Sequence, residues 1–349
     1  MATTTKRMFY VRDPHPAFLE RVAARNDLIL EKVDQNAADA EADAVLSQAH
    51  IYYIPSARGP LQPRFYADRD LLLRTPRLLV VSASGAGHDP VNVSACTEAG
   101  IIVVNQTGSN REAVAEHVLG MMIILSRRII VSDRTLRRQA SGPADKIESA
   151  DLLGKTLGII GLGNVGGRLA EIAAGMLAMK ILAYDPYLSA EQIAAKHATK
   201  TTLEDLLRRS DFVSVNTPLT DETRGMIGAR EYALMQPHAY FINAARGGIH
   251  DEQALAEALK AGRLAGAGLD VWAVEPPPAD HPLLALDNVI SSPHTAGSSR
   301  ESRVAMATWG ADQIMDILDG KKPPRLVNPE AWPAYARRFE MEFGFRPQG

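Results

Sequence analysis

The chain has 349 residues, 46% of them hydrophobic and 23% charged, with a formal net charge of −3. That length accommodates two ordinary domains, each with its own core. The near-neutral balance, spread along the chain, gives no electrostatic footprint for nucleic acid or an anionic membrane surface. Cys96 is the only cysteine, which excludes an intrachain disulfide and a cysteine-rich zinc cluster.

The opening segment, MATTTKRMFYVRDPHP, lacks the apolar core of a signal peptide, and runs such as MMIIL are far too short to span a bilayer. A cytoplasmic protein without a membrane partner is expected. Short apolar runs at 8–11, 51–54, 78–82 and 101–104 alternate with amphipathic segments at 16–26 and 64–74. This is the pattern of a small parallel α/β domain.

Residues 109–139 then read as one long helix, with Ser109 or Asn110 as its N-cap. Its arginines Arg127, Arg128, Arg134, Arg137 and Arg138 fall at helical spacing and read as a solvated or subunit-facing stripe. Six further apolar runs follow at 157–160, 181–184, 212–215, 240–242, 267–269 and 288–290, with helical patterns at 203–209 and 251–261 among them. Strands joined by crossover helices predict a doubly wound sheet of the dinucleotide-binding kind. A last helix from 298, stopped by Gly320 and KKPP, carries the chain back to the first domain. The predicted fold is thus α/β, with two Rossmann-like doubly wound domains: a discontinuous one of residues 1–108 and 297–349, and an inserted one of residues 109–296.

At the head of the second series stands LGIIGLGNVGGRL, with Gly161, Gly163 and Gly166 in the spacing GxGxxG. Isolated, that spacing is weak. Between a buried strand and a helix it predicts close approach of the backbone to a pyrophosphate lying at a helix N-terminus. The next strand ends in Asp185, about twenty residues beyond the last glycine, where a carboxylate binds ribose hydroxyls and repels a ribose phosphate. NAD is therefore expected over NADP.

Ligands of such sheets lie beyond the carboxyl ends of the strands. There the chain reads NTPLTDET, NAARGGIHDE, LDVWAVEPP and SSPHTAG, which bring Arg246, Glu275 and His294 to neighbouring strand ends. A guanidinium that can grip a carboxylate and a carbonyl, and an imidazole made more basic by a carboxylate, suit the reduction of a 2-oxoacid.

On these residues the chain resembles the D-isomer-specific 2-hydroxyacid dehydrogenase family. The resemblance implies a split substrate-binding domain (flavodoxin-like), an inserted NAD-binding domain, a homodimer, NAD as cofactor, no metal, and Arg246, Glu275 and His294 as the catalytic set. It puts the cofactor at Gly161, Leu162, Gly163, Asn164, Val165, Gly166, Asp185, Thr217, Pro218, Ala244, Ala245 and Asp270. The substrate would meet Arg246, His294 and the backbone amides of Ser84, Gly85, Ala86 and Gly87 in SASGAGHDPVN. The activity implied is interconversion of a 2-oxoacid and a D-2-hydroxyacid, with glyoxylate or hydroxypyruvate as candidate substrates. Alternatives on the same scaffold are a phosphite dehydrogenase and an NAD-sensing corepressor. Formate oxidation is disfavoured because formate enzymes carry glutamine where Glu275 stands. His88, Asn216 and the absence of a tryptophan from RRQASGPADK depart from the typical pattern. The aromatic C-terminal segment, 328–349, is left between packing on the first domain and packing on a partner.

Overall fold

The computed structural model describes residues 5–59, 61–138 and 147–348. Most of RRQASGPADK, and Gln139 at the end of the expected long helix, lie outside these. The chain forms two compact units, residues 1–110 with 300–349, and residues 111–299.

In the first unit the chain runs β1 (Lys6–Tyr10), α1 (Pro16–Val22), β2 (Leu28–Lys32), α2 (Asp39–Leu46), β3 (Ile51–Ile54), α3 (Arg69–Arg74), β4 (Val80–Ala83), α4 (Val93–Glu98) and β5 (Ile102–Val104). The five strands are parallel in the order β2-β1-β3-β4-β5. Strand β2, LILEK, was not anticipated. It lies at a sheet edge and is only half-buried, so it never forms the continuous apolar run that marks a central parallel strand.

The second unit begins with α5 (Arg111–Ser126) and α6 (Ile129–Arg138), where a single helix was expected. The break has a local cause. Ser126 turns its carbonyl and hydroxyl to the main chain of Ala150, at 3.0 and 2.7 Å, and Arg128 adopts the left-handed region at φ 52°. There follow β6 (Thr156–Ile160), α7 (Asn164–Leu177), β7 (Lys180–Tyr184), α8 (Ala190–Ala194), β8 (Thr199–Lys200), α9 (Leu203–Arg209), β9 (Phe212–Val215), α10 (Ala229–Leu234), β10 (Tyr240–Asn243), α11 (Glu252–Lys260), β11 (Gly266–Leu269) and β12 (Val289–Ser291). All seven strands are parallel, in the order β12-β11-β10-β9-β6-β7-β8. The order reverses between β6 and β9, which is where a doubly wound sheet opens its crevice.

Alternation along each strand feeds a core on either face. Phe212 and Ile242 face α5 and α7, whereas Val213, Val215 and Phe241 face α9, α10 and α11. Helix starts carry side-chain caps where sequence supplies them: Thr202 accepts the Asp205 amide and Asp251 accepts the Ala254 amide.

The chain returns to the first unit in α12 (Arg300–Leu318) and α13 (Trp332–Phe343). Gly320, at φ 78°, ends α12 as expected, with the Lys321 amide reaching back to the Asp316 carbonyl. The C-terminal aromatics pack on this unit's own sheet: Tyr335 and Phe339 are buried with Met8, Ile51, Tyr53 and Ile314.

Candidate active site

One line of residues runs across the seven-stranded sheet. Register pairs Tyr184 with Ile160, Ile160 with Val215, Val215 with Asn243, Asn243 with Leu269, and Leu269 with Ser291. Six strands therefore end level, and the loops that leave this rim carry Asp185, the glycine motif, Thr217 and Pro218, Ala244 to Arg246, Asp270 to Glu275, and His294.

At β6 the chain turns through Gly161, at φ 88°, and a Cβ there would meet the Asn216–Thr217 backbone at 3.0 Å. A Cβ on Gly166 would lie 2.2 Å from the Gly161 carbonyl oxygen, so the third glycine lets α7 close on its own loop. Gly163 caps α7 without a side-chain bond and has open space where a Cβ would stand. These features fit a dinucleotide pyrophosphate: a backbone surface that a ligand can approach, at the positive end of a fourteen-residue helix.

Asp185 lies beside this loop, accepting the Leu162 amide at 3.0 Å and the Tyr187 amide at 3.0 Å. The Leu162 side chain is in the core, its amide is held by Asp185, and its carbonyl accepts Lys196 Nζ at 2.6 Å, so it braces the loop. Lys196 had no motif to betray it.

The β10, β11 and β12 loops hold the reactive groups. His294 Nδ1 lies 2.8 Å from Glu275 Oε2, and the other Glu275 oxygen accepts the Trp272 amide at 3.1 Å. The Glu275 hydrogen bond holds the His294 imidazole above its ordinary pKa, against burial and the charge of Arg246. Burial pushes the Glu275 carboxyl up, but His294, the Trp272 amide and the Arg246 charge together bring it below the usual carboxylate range. Each partner thus favours the charged form of the other, and the Glu275 bond engages Nδ1 of the ring. Arg246 is half-buried, and its Nη1 donates to the Ala245 carbonyl at 2.7 Å.

Asp270 was expected against the nicotinamide. Its side chain is almost fully buried and accepts the Ser292 hydroxyl at 2.6 Å and the Thr295 and Ala296 amides at 2.8 and 2.9 Å. Through those donors Asp270 fixes the turn that carries His294. His117 on α5 extends the network with Nε2 at 3.0 Å from Ser292 Oγ. Asn243, in the quoted NAARGG but not assigned a role, donates to the Arg246 carbonyl at 2.9 Å and accepts the Ala245 amide at 3.0 Å.

In the first unit, the loop after β4 carries the segment expected to bind a carboxylate. The Ser84 amide donates to the Ile54 carbonyl at 2.8 Å, continuing the sheet into this loop. The carbonyls of Gly85 and Ala86 accept the Gln106 amide and Asn105 Nδ2, each at 2.9 Å, fixing the loop's course. Among the described residues, no helix is long and apolar enough to cross a membrane.

Residues 119–296 match the family described as D-isomer specific 2-hydroxyacid dehydrogenase, NAD binding domain. The chain is 40% identical over 270 residues to a glyoxylate reductase of Aeropyrum pernix, a match covering 75% of this chain and 80% of that protein. It is 38% identical over 261 residues to a D-3-phosphoglycerate dehydrogenase of Archaeoglobus fulgidus, covering 75% of this chain but 49% of that one, so it spans about half the length of that relative. Among solved structures, a glyoxylate reductase from Paecilomyes thermophila superposes with a TM-score of 0.82 at 26% identity, covering 93% of this chain and 99% of the other.

Proposed function

We propose that this chain, which belongs to the D-isomer-specific 2-hydroxyacid dehydrogenase family, interconverts a 2-oxoacid and a D-2-hydroxyacid with NAD(H). The observation that carries the reading is the His294–Glu275 pair at 2.8 Å, whose imidazole is held above its ordinary pKa at the rim that also bears the glycine loop. NADH, when bound, supplies the hydride that adds to C2 of the oxoacid. Gly161, Gly163, Asn164, Val165, Gly166, Asp185, Thr217, Pro218, Ala244 and Ala245 are the residues that would hold it. Arg246 grips the carboxylate and polarises the carbonyl through its forked guanidinium. His294 Nε2 gives its proton to the carbonyl oxygen as charge develops there, and Glu275 keeps Nδ1 occupied and the ring oriented. Asp270 takes no part in proton transfer and fixes the turn beneath His294.

Within that class a small substrate such as glyoxylate or hydroxypyruvate is the finer proposal, supported by the 40% identity to a glyoxylate reductase over most of its length. A homodimer belongs to the same reading. No residue of α6 is buried in the single chain although Ile129 and Leu136 are large and apolar, and sedimentation equilibrium reads the assembly.

The test is NADH oxidation by purified protein against 2-oxoacids from glyoxylate to phenylpyruvate, with NADPH in parallel. Turnover of a small 2-oxoacid with NADH preferred supports the reading. Binding of NADH without reduction of any 2-oxoacid overturns it.

A further inference from the structure

His250 is buried at 3% exposure, seven residues beyond Asn243 and outside the catalytic set. Its Nδ1 lies 3.0 Å from Asn243 Nδ2, and its buried Nε2 has no hydrogen-bond partner among the described residues. The orientation of the Asn243 amide is determined by its other contacts: the oxygen must accept the Ala245 amide, and the nitrogen must donate to the Arg246 carbonyl. Both protons of the Asn243 nitrogen are therefore used, one on Arg246 and one on His250. His250 Nδ1 can only be the acceptor, which places its single proton on Nε2.

From this geometry we propose that His250 is a positioning residue for Arg246: its Nδ1 lone pair orients the Asn243 amide, and Asn243 clamps the main chain on both sides of the Arg246 turn. The inference rests on the role given to Arg246 above. The clamp requires a neutral ring, since a proton on Nδ1 would face an N–H donor. The surroundings keep it neutral. Burial brings His250 down to about 4, with His281 acting in the same direction and Asp251 opposing, while His281 is itself held by Glu252 Oε2 at 3.1 Å. The Phe241 ring, 5.2 Å away between centroids, closes the site with an apolar wall. A histidine used only as core filler would have no need of this one tautomer. Here the tautomer is what completes the hydrogen bonding of the loop that presents the guanidinium.

The experiment compares His250→Phe, which keeps an aromatic volume but has no acceptor, with His250→Asn, whose side-chain oxygen can stand where Nδ1 stood. Both are assayed as the NADH complex of the full chain. His250→Phe is expected to raise KM for the 2-oxoacid and to lower kcat/KM by roughly tenfold to a hundredfold, the cost of a misplaced catalytic group. The NADH dissociation constant should change far less than kcat/KM, and His250→Asn should restore most of the loss. If His250→Phe leaves KM and kcat/KM untouched, or if NADH binding and every kinetic constant move together with no rescue by His250→Asn, the proposal is overturned. Nitrogen-15 NMR of the histidines in the wild-type protein reads the same claim without turnover. Protonated Nε2 with bare Nδ1 at His250 near neutral pH sustains the clamp even if no 2-oxoacid is reduced, and protonated Nδ1 overturns it.

Discussion

Asp270 holds His294 from its own main chain and from its side chain. The Asp270 carbonyl accepts the His294 amide at 2.7 Å, and the carboxylate accepts the amides of the next two residues, Thr295 and Ala296, at 2.8 and 2.9 Å. His294 sits between them at φ 55°, a backbone region costing about 1–2 kcal/mol for a residue with a Cβ. These bonds offset that cost and fix where the imidazole points.

Asp270→Asn therefore turns an amide nitrogen toward the Ser292 hydroxyl or a backbone donor in a buried site. Loss of about 2–4 kcal/mol of stability is expected, read by denaturant unfolding. A fall in kcat larger than the change in NADH affinity is expected in the same variant, because His294 moves and the glycine loop does not.

The pH profile follows from the same pair. With His294 as the proposed proton donor, kcat/KM for 2-oxoacid reduction is expected to hold at low pH and to fall as pH rises through the raised His294 pKa, above the ordinary 6.5. Oxidation of the hydroxyacid shows the opposite limb. In Glu275→Gln the largest raising influence on His294 is gone while burial and Arg246 still lower it, so the alkaline limb of reduction moves to lower pH. For stability the signs are opposite for the two partners. The His294 contribution is present below its unfolded pKa and is lost as pH rises through its raised folded value. The Glu275 contribution is present above its unfolded pKa and is lost as pH falls through its lowered folded value. The pair is fully in place only between those two folded values.

Asp185, proposed above to hold the cofactor, accepts the Leu162 amide of the glycine loop. Asp185→Ala is expected to weaken NADH binding about tenfold or more, the loss of one or two charge-assisted hydrogen bonds, and to narrow the discrimination against NADPH. Fluorescence titration with each cofactor measures both.

The C-terminal helix is part of the first unit's core. Phe339 is 1% exposed, packs edge-on against Phe343 and Phe345, and shares its helix with Glu342, which accepts His50 Nε2 and Arg77. Phe339→Ala is expected to cost about 3–5 kcal/mol, read by denaturant unfolding of the full chain.

How much was legible in the sequence followed physical scale. Central parallel strands are buried on both faces and announce themselves as apolar runs, so β3 and β9 were located to the residue. Edge strands β2 and β8 carry charged or exposed positions and were missed. Arg246, Glu275 and His294 stood out because they occupy the residues just past such runs. The residues that hold them did not. Ser292, His117 and Lys196 act through hydrogen bonds between segments up to 175 residues apart, which no spacing along the chain encodes, and Asn243 acts through local bonds to Ala245 and Arg246 that its place in NAARGG does not announce. The partners of the Leu162 and Ser84 amides were equally illegible, because an amide's partner is decided by tertiary packing.

The proposed role of His294 as proton donor is read by single-turnover oxidation of bound NADH by the best 2-oxoacid, in wild type and in His294→Ala. Loss of the chemical step by about 10²–10⁴-fold with NADH affinity unchanged is expected. A His294→Ala rate within a few-fold of wild type would contradict it.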